Sequence, residues 1–470
     1  MKAPSIIRSA LVVVSLGIHT GCATAPRPAS PPAPALKASA PAPAPRGGEV
    51  VPAPPLPEPI RGDARVTLAA VGDVLMHGAV KESAAVHGKG APDAGYSWLF
   101  APIADLLGQP DLTFANLETP IAPRTSKGSR AFVFNAPVDV VAALQRAGVD
   151  LVSVANNHAF DQGRPGFEET LESLDRAGMI YLGAGRAPRA AGPVLVERSG
   201  LKLAFLGYTY GLNQPGNDCP PAPKGAPVCL QAAELRADAI VEDVRAAAAA
   251  ADAVVVSVHW GIEYEQQPRA QEVALARRLA DAGALVVLGH HPHVLQPVEI
   301  YRRADGRMAV IAYSLGNFIS NQSRNFVAGV TPDAVAATRD GALLRVALAR
   351  QDYGRGVVRV EVVGADFLPL WTENDTAQID RRKEPGRRPA IRVVAVDRAL
   401  AEVRAELLAM PDPLPPDQVE RYVQLRRREA LYLSRRAAVA TLLGEDLLRV
   451  LRPEELTPPP PPGAAAASNR

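Results

Sequence analysis

The chain carries little net charge, few cysteines and no motif for a serine nucleophile. Its 51 lysines and arginines nearly balance 49 aspartates and glutamates, which leaves a formal net charge of +2. This balance implies neither a nucleic-acid partner nor attraction to an acidic membrane, so we expect no nucleic acid to bind. Only three cysteines occur, without a Cys-x-x-Cys pair for zinc, and no Gly-x-Ser-x-Gly sequence makes Ser314 a nucleophile.

The amino terminus is typical of an export signal. Lys2 and Arg8 give it a basic start, and residues 11–16 form an apolar core that is too short to span a bilayer. Gly21-Cys22 then resembles a bacterial lipoprotein cleavage site, although His19 stands where that signal prefers an aliphatic residue. We predict that residues 1–22 are a signal peptide and that lipid on Cys22 anchors the exported protein to a membrane, facing the periplasm or the cell surface. A plain secretory signal is the alternative.

Two segments rich in alanine and proline flank the part of the chain that can fold. Residues 23–60 contain few side chains able to pack and are predicted to be a disordered tether, and residues 457–470 are predicted to be a similar tail. Between them, Cys219 and Cys229 flank a loop rich in proline. A disulfide between these cysteines is the better interpretation in an oxidising compartment, whereas two unpaired thiols are expected if the protein is not exported.

Six short hydrophobic runs, each of strand length, follow residue 61. They are rich in valine, isoleucine, leucine or alanine and lack the polar alternation of a half-exposed strand, which predicts strands buried on both faces. The runs are 66–72, 111–115, 151–155, 253–258, 284–289 and 308–313. Polar residues follow each run, and ligands of open α/β sheets bind outside the carboxyl ends of strands. Six of the eight histidines lie in or beside these ends: His77, His158, His259, His290, His291 and His293.

We interpret the ends of these runs as one metal site built from many segments. Asn116 and Glu118 are two residues apart and therefore share one side of an extended segment, as do His291 and His293, from which His290 points away. Glu118 is a candidate metal ligand or general base. His158 is the candidate proton donor, with Asp161 orienting its imidazole. The candidate metal ligands are Asp73, Asn116, Glu118, Asn157, His259, His291 and His293.

Each of these motifs also has a structural explanation. Asp73 after a glycine can be a turn residue or a helix cap, Glu118 can pair with an arginine, and the pair Asn157 and His158 can cap the helix that follows. A lone buried histidine is usually structural. Several histidines mixed with Asp, Asn and Glu after strands favour the metal site.

Helical patterns alternate with the strands at 98–107, 137–147, 166–177, 231–251 and 267–282. This order predicts a mixed α/β fold in which helices cover the sheets and antiparallel strands lie beside parallel ones. Residues 371–456 are predicted to be a C-terminal helical extension with a basic amphipathic helix at 419–443. A solvated basic face is favoured over a contact with lipid or polyanion.

The sequence motifs together resemble those of a known family. GDVLMH, NLE, NNHAFDQG, HWGIEY, GHHPHVLQ and SLGNF occur in this order between residues 66 and 320. With them, residues 61–370 resemble the bacterial capsule-synthesis CapA/PgsA family, which is associated with poly-γ-glutamate capsule biosynthesis. The resemblance implies a divergent fold of metallophosphoesterase type, a four-layer α-β-β-α sandwich.

The same resemblance implies a site with one or two divalent metal ions, either Mn, Fe or Zn. It makes Asp73, Asn157, His259, His291 and His293 ligands, and it gives His158 the role of assisting the leaving group. Two departures leave the number of metals open. His77 lacks the usual close spacing to the first aspartate, and Asn116 and Glu118 stand where the family pattern has a Gly-Asp pair with a bridging aspartate.

Two functions fit these expectations. One is an exported, lipid-anchored metallohydrolase that acts on a phosphorylated or acyl substrate. The other is a non-catalytic component of capsule assembly or export, in which the pocket binds an anionic polymer and other capsule-assembly membrane proteins are partners. A purely structural envelope protein would leave the clustered histidines unexplained.

Overall fold

The structure, a computed structural model, describes residues 61–457 except 92, 127, 129–130, 187–191, 216–229 and 385. The predicted lipid attachment at Cys22 and the predicted disulfide between Cys219 and Cys229 lie outside these residues. So do the signal peptide and nearly all of the two segments predicted to be disordered. These predictions stay predictions.

The strands of the described residues alternate with helices along the chain. In chain order they are β1 (Arg61–Val74), β2 (Leu112–Asn116), β3 (Leu151–Ser153), β4 (Ile180–Leu182), β5 (Ala184–Arg186), β6 (Val194–Arg198), β7 (Leu201–Thr209), β8 (Leu230–Ala232), β9 (Ala253–His259), β10 (Ala284–His290), β11 (Leu295–Arg302), β12 (Met308–Leu315), β13 (Asn317–Ile319), β14 (Asp340–Asp352), β15 (Val358–Asn374) and β16 (Ile391–Ala395).

The helices are α1 (Gly78–His87), α2 (Ala104–Leu107), α3 (Asp139–Ala147), α4 (Gly163–Ala177), α5 (Ala237–Ala250), α6 (Ala270–Ala282), α7 (Thr376–Arg382), α8 (Val396–Leu408) and α9 (Val419–Leu443). Short 3-10 segments occupy Tyr96–Leu99, Ala101–Ile103, Asp333–Arg339, Pro416–Gln418, Glu445–Leu447 and Pro453–Glu455. No helix in the described ranges combines the length and apolar character that crossing a bilayer demands.

Two mixed sheets contain most of the strands. The eight-stranded sheet has the order β16-β15-β14-β1-β2-β3-β4, with β13 also paired to β1. Its strands β1 to β4 are parallel, and β14, β15 and β16 add to the other side of β1 in antiparallel fashion. The six-stranded sheet has the order β11-β12-β10-β9-β7-β6, with a parallel centre and antiparallel edge strands.

Three apolar clusters arrange these elements in four layers. Leu68 of β1 and Phe205 of β7 lie in the cluster between the two sheets. Leu144 of α3 and Leu171 of α4 pack on the outer face of the eight-stranded sheet. Leu279 of α6 packs with α5 on the outer face of the six-stranded sheet. The predicted four-layer α-β-β-α sandwich is therefore confirmed, and burial on both faces explains why the strands lack polar alternation.

Two predicted helices differ in the structure. Residues 230–232 form β8, which pairs with β5, and helix α5 begins only at Ala237. Strand pairing has overridden the local preference of an alanine-rich segment. The segment predicted as a helix at 98–107 contains two 3-10 turns followed by α2, and Pro102 has no N–H to continue a regular helix.

The chain beyond residue 370 is built into the sandwich. It supplies β16, which pairs with β15, and helix α9, which occupies the residues of the predicted basic helix. Val439 and Leu443 of α9 join the cluster between the sheets, while Tyr432 packs in a separate cluster with Trp371 and α8.

Candidate metal centre

The candidate site lies where strands of both sheets end side by side. Asp73 at the end of β1 is in register with Asn116 at the end of β2. In the other sheet, His259 at the end of β9 is in register with His290 at the end of β10. Parallel pairing thus brings together side chains that are far apart in sequence, as expected from the positions of the polar residues after each run.

Asp73 lies at the centre of the cluster and is fully buried. Asn116 Nδ2 donates to Asp73 Oδ1 at 2.9 Å, and His293 Nδ1 lies 3.1 Å from Oδ2. His290 Nδ1 lies 3.2 Å from Oδ1. Burial alone would raise the pKa of Asp73, but its contacts with His290 and His293 hold that pKa well below the ordinary value. Asp73 is therefore a carboxylate, the state required of a metal ligand.

Glu118 is also fully buried, and its carboxylate lies near both His259 and His293. Its Oε1 lies 3.5 Å from His259 Nε2 and 3.9 Å from His293 Nε2 but accepts no hydrogen bond from the described residues. Burial, followed by the charge of Asp73, raises the pKa of Glu118 well above its ordinary value. A cation would reverse this effect, because it supplies the positive charge that the oxygen lacks.

Two histidines of the cluster, His259 and His291, are held in the form that binds metal. Burial lowers the pKa of His259, and it lowers the pKa of His291 to about 4. Both imidazoles are therefore neutral near pH 7, as ligation requires. His291 Nδ1 is buried without a hydrogen-bond partner among the described residues. Buried ligand atoms without a hydrogen-bond partner, here His291 Nδ1 and Glu118 Oε1, fit a cation site.

The backbone around His291 and His293 differs from the predicted extended segment. Both residues have positive φ values, 97° and 58°, so the chain turns sharply after β10. The two rings still lie on the same side, with centroids 5.9 Å apart. The prediction that His290 points away from the site was wrong, because its buried ring lies against Asp73 rather than on the opposite face.

His158 and Asp161 form a buried hydrogen-bonded pair at the edge of the cluster. His158 Nδ1 lies 2.7 Å from Asp161 Oδ2, which also accepts the Phe134 backbone N–H at 2.6 Å. The Phe134 ring packs edge-on against the imidazole at 4.6 Å. Asn157, the preceding residue, places Oδ1 3.0 Å from His259 Nε2. Asp161 thus orients His158, while Asn157 connects this unit to the candidate ligands.

Of four further residues at the site, Tyr210 and Asn213 were not singled out from the sequence, whereas Ser314 and Asn317 belong to the SLGNF motif. Tyr210 lies over His291 with a ring separation of 4.7 Å, and Asn213 Nδ2 lies 3.5 Å from His158 Nε2. Both follow β7, so the same reasoning about strand ends could have found them. Asn317 Nδ2 donates to the His293 carbonyl at 3.3 Å. Ser314 donates to the Val294 carbonyl and supports the same turn.

The donor set of this cluster could hold a metal ion. One group consists of Asp73, Glu118 and His259, and the other of Glu118, His291 and His293; in each, the ligand atoms lie within 4.8 Å of one another. His77, in contrast, belongs to neither group, and its Nδ1 accepts the Asn321 backbone N–H at 3.3 Å. Carboxylate and imidazole ligands together suit borderline divalent cations.

Comparison with known proteins agrees with the motifs. A family model described as bacterial capsule synthesis protein PGA_cap matches residues 67–322, more than half of the chain. The chain belongs to this bacterial capsule synthesis family. The matched region contains every candidate ligand, and the mixed α/β sandwich is the metallophosphoesterase-like fold expected for the family.

The names of three similar proteins refer to capsule or polymer synthesis. The chain is 30% identical over 271 residues to the capsule biosynthesis protein CapA of Bacillus anthracis, covering 56% of this chain and 61% of that protein. It is 30% identical over 289 residues to the PGA biosynthesis protein CapA of Bacillus subtilis, covering 61% and 68%. A probable polyglutamine synthesis accessory protein of Mycobacterium tuberculosis is 31% identical over 209 residues, covering 41% and 52%. The chain thus spans about three fifths of the Bacillus anthracis relative.

Proposed function

We propose that this member of the capsule synthesis family is a metal-dependent hydrolase of a capsule-type polymer or its precursor. The observation that carries the proposal is the orphaned pair of buried ligand atoms, Glu118 Oε1 and His291 Nδ1, within a neutral-imidazole and carboxylate cluster. One or two ions of Mn, Fe or Zn would be held by Asp73, Asn116, Glu118, Asn157, His259, His291 and His293. A bound divalent ion supplies Lewis-acid polarisation and lowers the pKa of water.

Residues of this chain would then transfer the proton to the leaving group. Asp161 Oδ2 accepts from His158 Nδ1 at 2.7 Å and so orients the ring with Nε2 towards the substrate side. To act as the acid, His158 would carry a proton on both nitrogens, and the proton on Nε2 would pass to the leaving group. Asn213, at 3.5 Å from Nε2, marks the side on which that group would lie. The reaction adds water across a phosphoester or acyl bond. The water oxygen would bond to the phosphorus or acyl carbon as the bond to the leaving atom breaks, His158 would protonate that atom, and the proton released by the water would restore His158.

The proposal includes export and anchoring through lipid on Cys22, with the folded part facing the periplasm or the cell surface. An anionic polymer or a phosphorylated or acyl compound is the proposed substrate, and membrane proteins of capsule assembly are proposed partners. The names of the relatives support a place in polymer synthesis, where a hydrolase would trim, release or edit chains.

A non-catalytic role in polymer assembly is the second candidate. The names of the relatives favour it, since they refer to biosynthesis and, in one case, to an accessory protein. The metal site would then serve polymer binding alone.

A turnover assay on the full-length protein separates the two. We expect hydrolysis of bis-p-nitrophenyl phosphate or of a glutamyl p-nitroanilide to require added Mn²⁺, Fe²⁺ or Zn²⁺. His158→Ala should abolish turnover and leave the bound metal in place. If the protein holds its metal but hydrolyses neither substrate, the assembly role is favoured.

A further inference from the structure

A polar cleft lies near His77. It encloses about 580 Å³ between α1, the loop after β13, and α7 with the segment that follows it. We call it the basic cleft. Its charged lining comprises Arg324, Lys383, Arg387, Arg388, Glu82, Asp380 and Glu384.

The ion pairs inside the basic cleft leave two cations available. Arg388 Nε lies 2.8 Å from Glu82 Oε1, and Arg387 pairs with Glu384 at 3.1 Å and with Asp375 at 2.8 Å. Arg324 and Lys383 form no ion pair with any described residue, and Asp380 is the lining acid without a cationic partner there. Among the charged lining residues, two exposed cations and one carboxylate are thus left outside ion pairs with described residues.

A short path connects the basic cleft to the proposed proton donor. Asn321 lines the cleft, and its backbone N–H donates to His77 Nδ1 at 3.3 Å. The His77 ring packs edge-on against Phe134 at 4.9 Å, and Phe134 packs against His158 at 4.6 Å. Asn374 Nδ2 holds the Asn321 side chain at 2.8 Å. The cleft therefore has a fixed position relative to the site.

The other side of the same loop has a different chemistry. A second cleft of about 650 Å³ lies there. It is lined by Gln322, Ser323, Asn325, Tyr264 and Val294 among others, and none of its lining residues is lysine or arginine. Tyr264 lies next to His293, with a ring separation of 6.2 Å. Of these two clefts, only the basic cleft, which is the one nearer to His77, is lined by lysine and arginine.

We propose that the basic cleft is a binding subsite for one anionic group of a chain that carries repeated carboxylates or phosphates. That neighbouring units of this chain lie at the metal centre rests on the proposed function. Binding of the anionic group in the basic cleft does not depend on it. Because His77 and Phe134 lie between Asn321 of the cleft and His158, the subsite would favour chains long enough to contact both places. Nucleic acid is disfavoured, because no aromatic side chain lines the cleft for base stacking.

Binding of labelled poly-γ-glutamate and of polyphosphate to the full-length protein tests the proposal. The measurement is fluorescence anisotropy at low and high salt, without added metal. The weakening variant is Arg324→Gln with Lys383→Asn, and the strengthening variant is Asp380→Asn. The control is Arg381→Gln with Arg355→Asn, which removes two exposed cations outside the cleft. Lys383 and Arg355 have similar positive φ values, 56° and 54°, so the two asparagine substitutions are matched in backbone conformation.

We expect the weakening variant to bind at least one polymer about tenfold more weakly, and Asp380→Asn to bind it more tightly, because each exposed charge contributes modestly. Affinity should fall as salt rises. The polymer that responds identifies carboxylate or phosphate as the bound group. Equal affinity in all variants, equal weakening in the control, or no binding to either polymer at low salt would overturn the proposal. Because no metal is added, a failed hydrolase proposal would leave this result unaffected.

Discussion

At the scale of single residues, Asp161 is the clearest case of a side chain acting through another. It accepts both the His158 Nδ1 proton and the Phe134 backbone N–H through the same oxygen. Asp161→Asn should lower kcat about a hundredfold, within the range for general acid–base catalysis, since the amide cannot fix the same tautomer. The bound metal should be retained.

Asp150→Asn is the matched control for this substitution. Asp150 lies just before β3, at the opposite end of the strand from the site, and accepts the Thr113 backbone N–H at 2.8 Å. Its kcat should match that of the unaltered protein. A kcat for Asp161→Asn equal to that of the control would show that His158 is not held by Asp161 during turnover.

At the scale of elements, the approach of β1 to the turn before β13 fixes Asp73. A Cβ atom added at Gly72 would lie 1.9 Å from the Gly316 carbonyl oxygen, and the Asp73 N–H donates to that same oxygen at 3.0 Å. Gly72→Ala should therefore displace Asp73, destabilise the fold by about 1–3 kcal/mol and weaken metal binding. Denaturant unfolding and metal titration measure both effects.

Gly78→Ala is its control, because no atom lies within 4 Å of the added methyl group at the start of α1. It should be neutral in both measurements. Normal metal affinity in folded Gly72→Ala protein would contradict the role given to this close approach.

A second element-scale prediction concerns the contact between α4 and the loop after β2. Burial would raise the pKa of Glu169, but hydrogen bonds from Arg124 and Thr125 lower it to about 2. Its contribution to stability is present in full above its ordinary pKa and is lost as pH falls towards 2. Glu169→Gln should cost about 1–3 kcal/mol at pH 7, and the cost should shrink in acid, as measured by urea unfolding across pH.

Glu172→Gln offers the comparison, since Glu172 pairs with the same arginine at 2.6 Å while its side chain is 60% exposed. Glu172→Gln should lower the free energy of unfolding at pH 7 by well under the amount for Glu169→Gln, because exposed pairs contribute little. A cost for Glu169→Gln that stays constant down to pH 2 would contradict the lowered pKa.

The strands also show how much of the structure could be predicted from the sequence. The central strands were predictable because their runs are apolar throughout, and the polar residues after them marked the site. The inward position of His290 was not predictable, because the alternation argument assumed an extended chain. In the structure, His291 has a φ of 97° and the chain turns there. Likewise, β8 depends on its pairing with β5, which no local pattern of an alanine-rich segment indicates.

At the scale of the whole molecule, residues beyond 370 complete the sandwich. Sequence patterns predicted helix α9 but not where it packs, because its packing depends on surfaces formed by distant strands. Leu443 is buried in the cluster between the sheets, whereas Leu433 on the same helix is 42% exposed. Leu443→Ala should lower the free energy of unfolding by about 2–5 kcal/mol.

Leu433→Ala should change that free energy by less than about 0.5 kcal/mol, as is usual for exposed positions. Chemical denaturation of both variants measures the difference. Equal, small effects would mean that α9 does not contribute to the core of the sandwich.

The central claim is that buried side chains from both sheets hold a divalent metal. The most direct test is metal content by plasma mass spectrometry of the full-length protein, beside His291→Ala/His293→Ala. We expect near-stoichiometric Mn, Fe or Zn in the unaltered protein and its loss in the variant, which removes two of the three potential ligands in one group. Protein that is folded but binds no metal, even after reconstitution, would contradict the account.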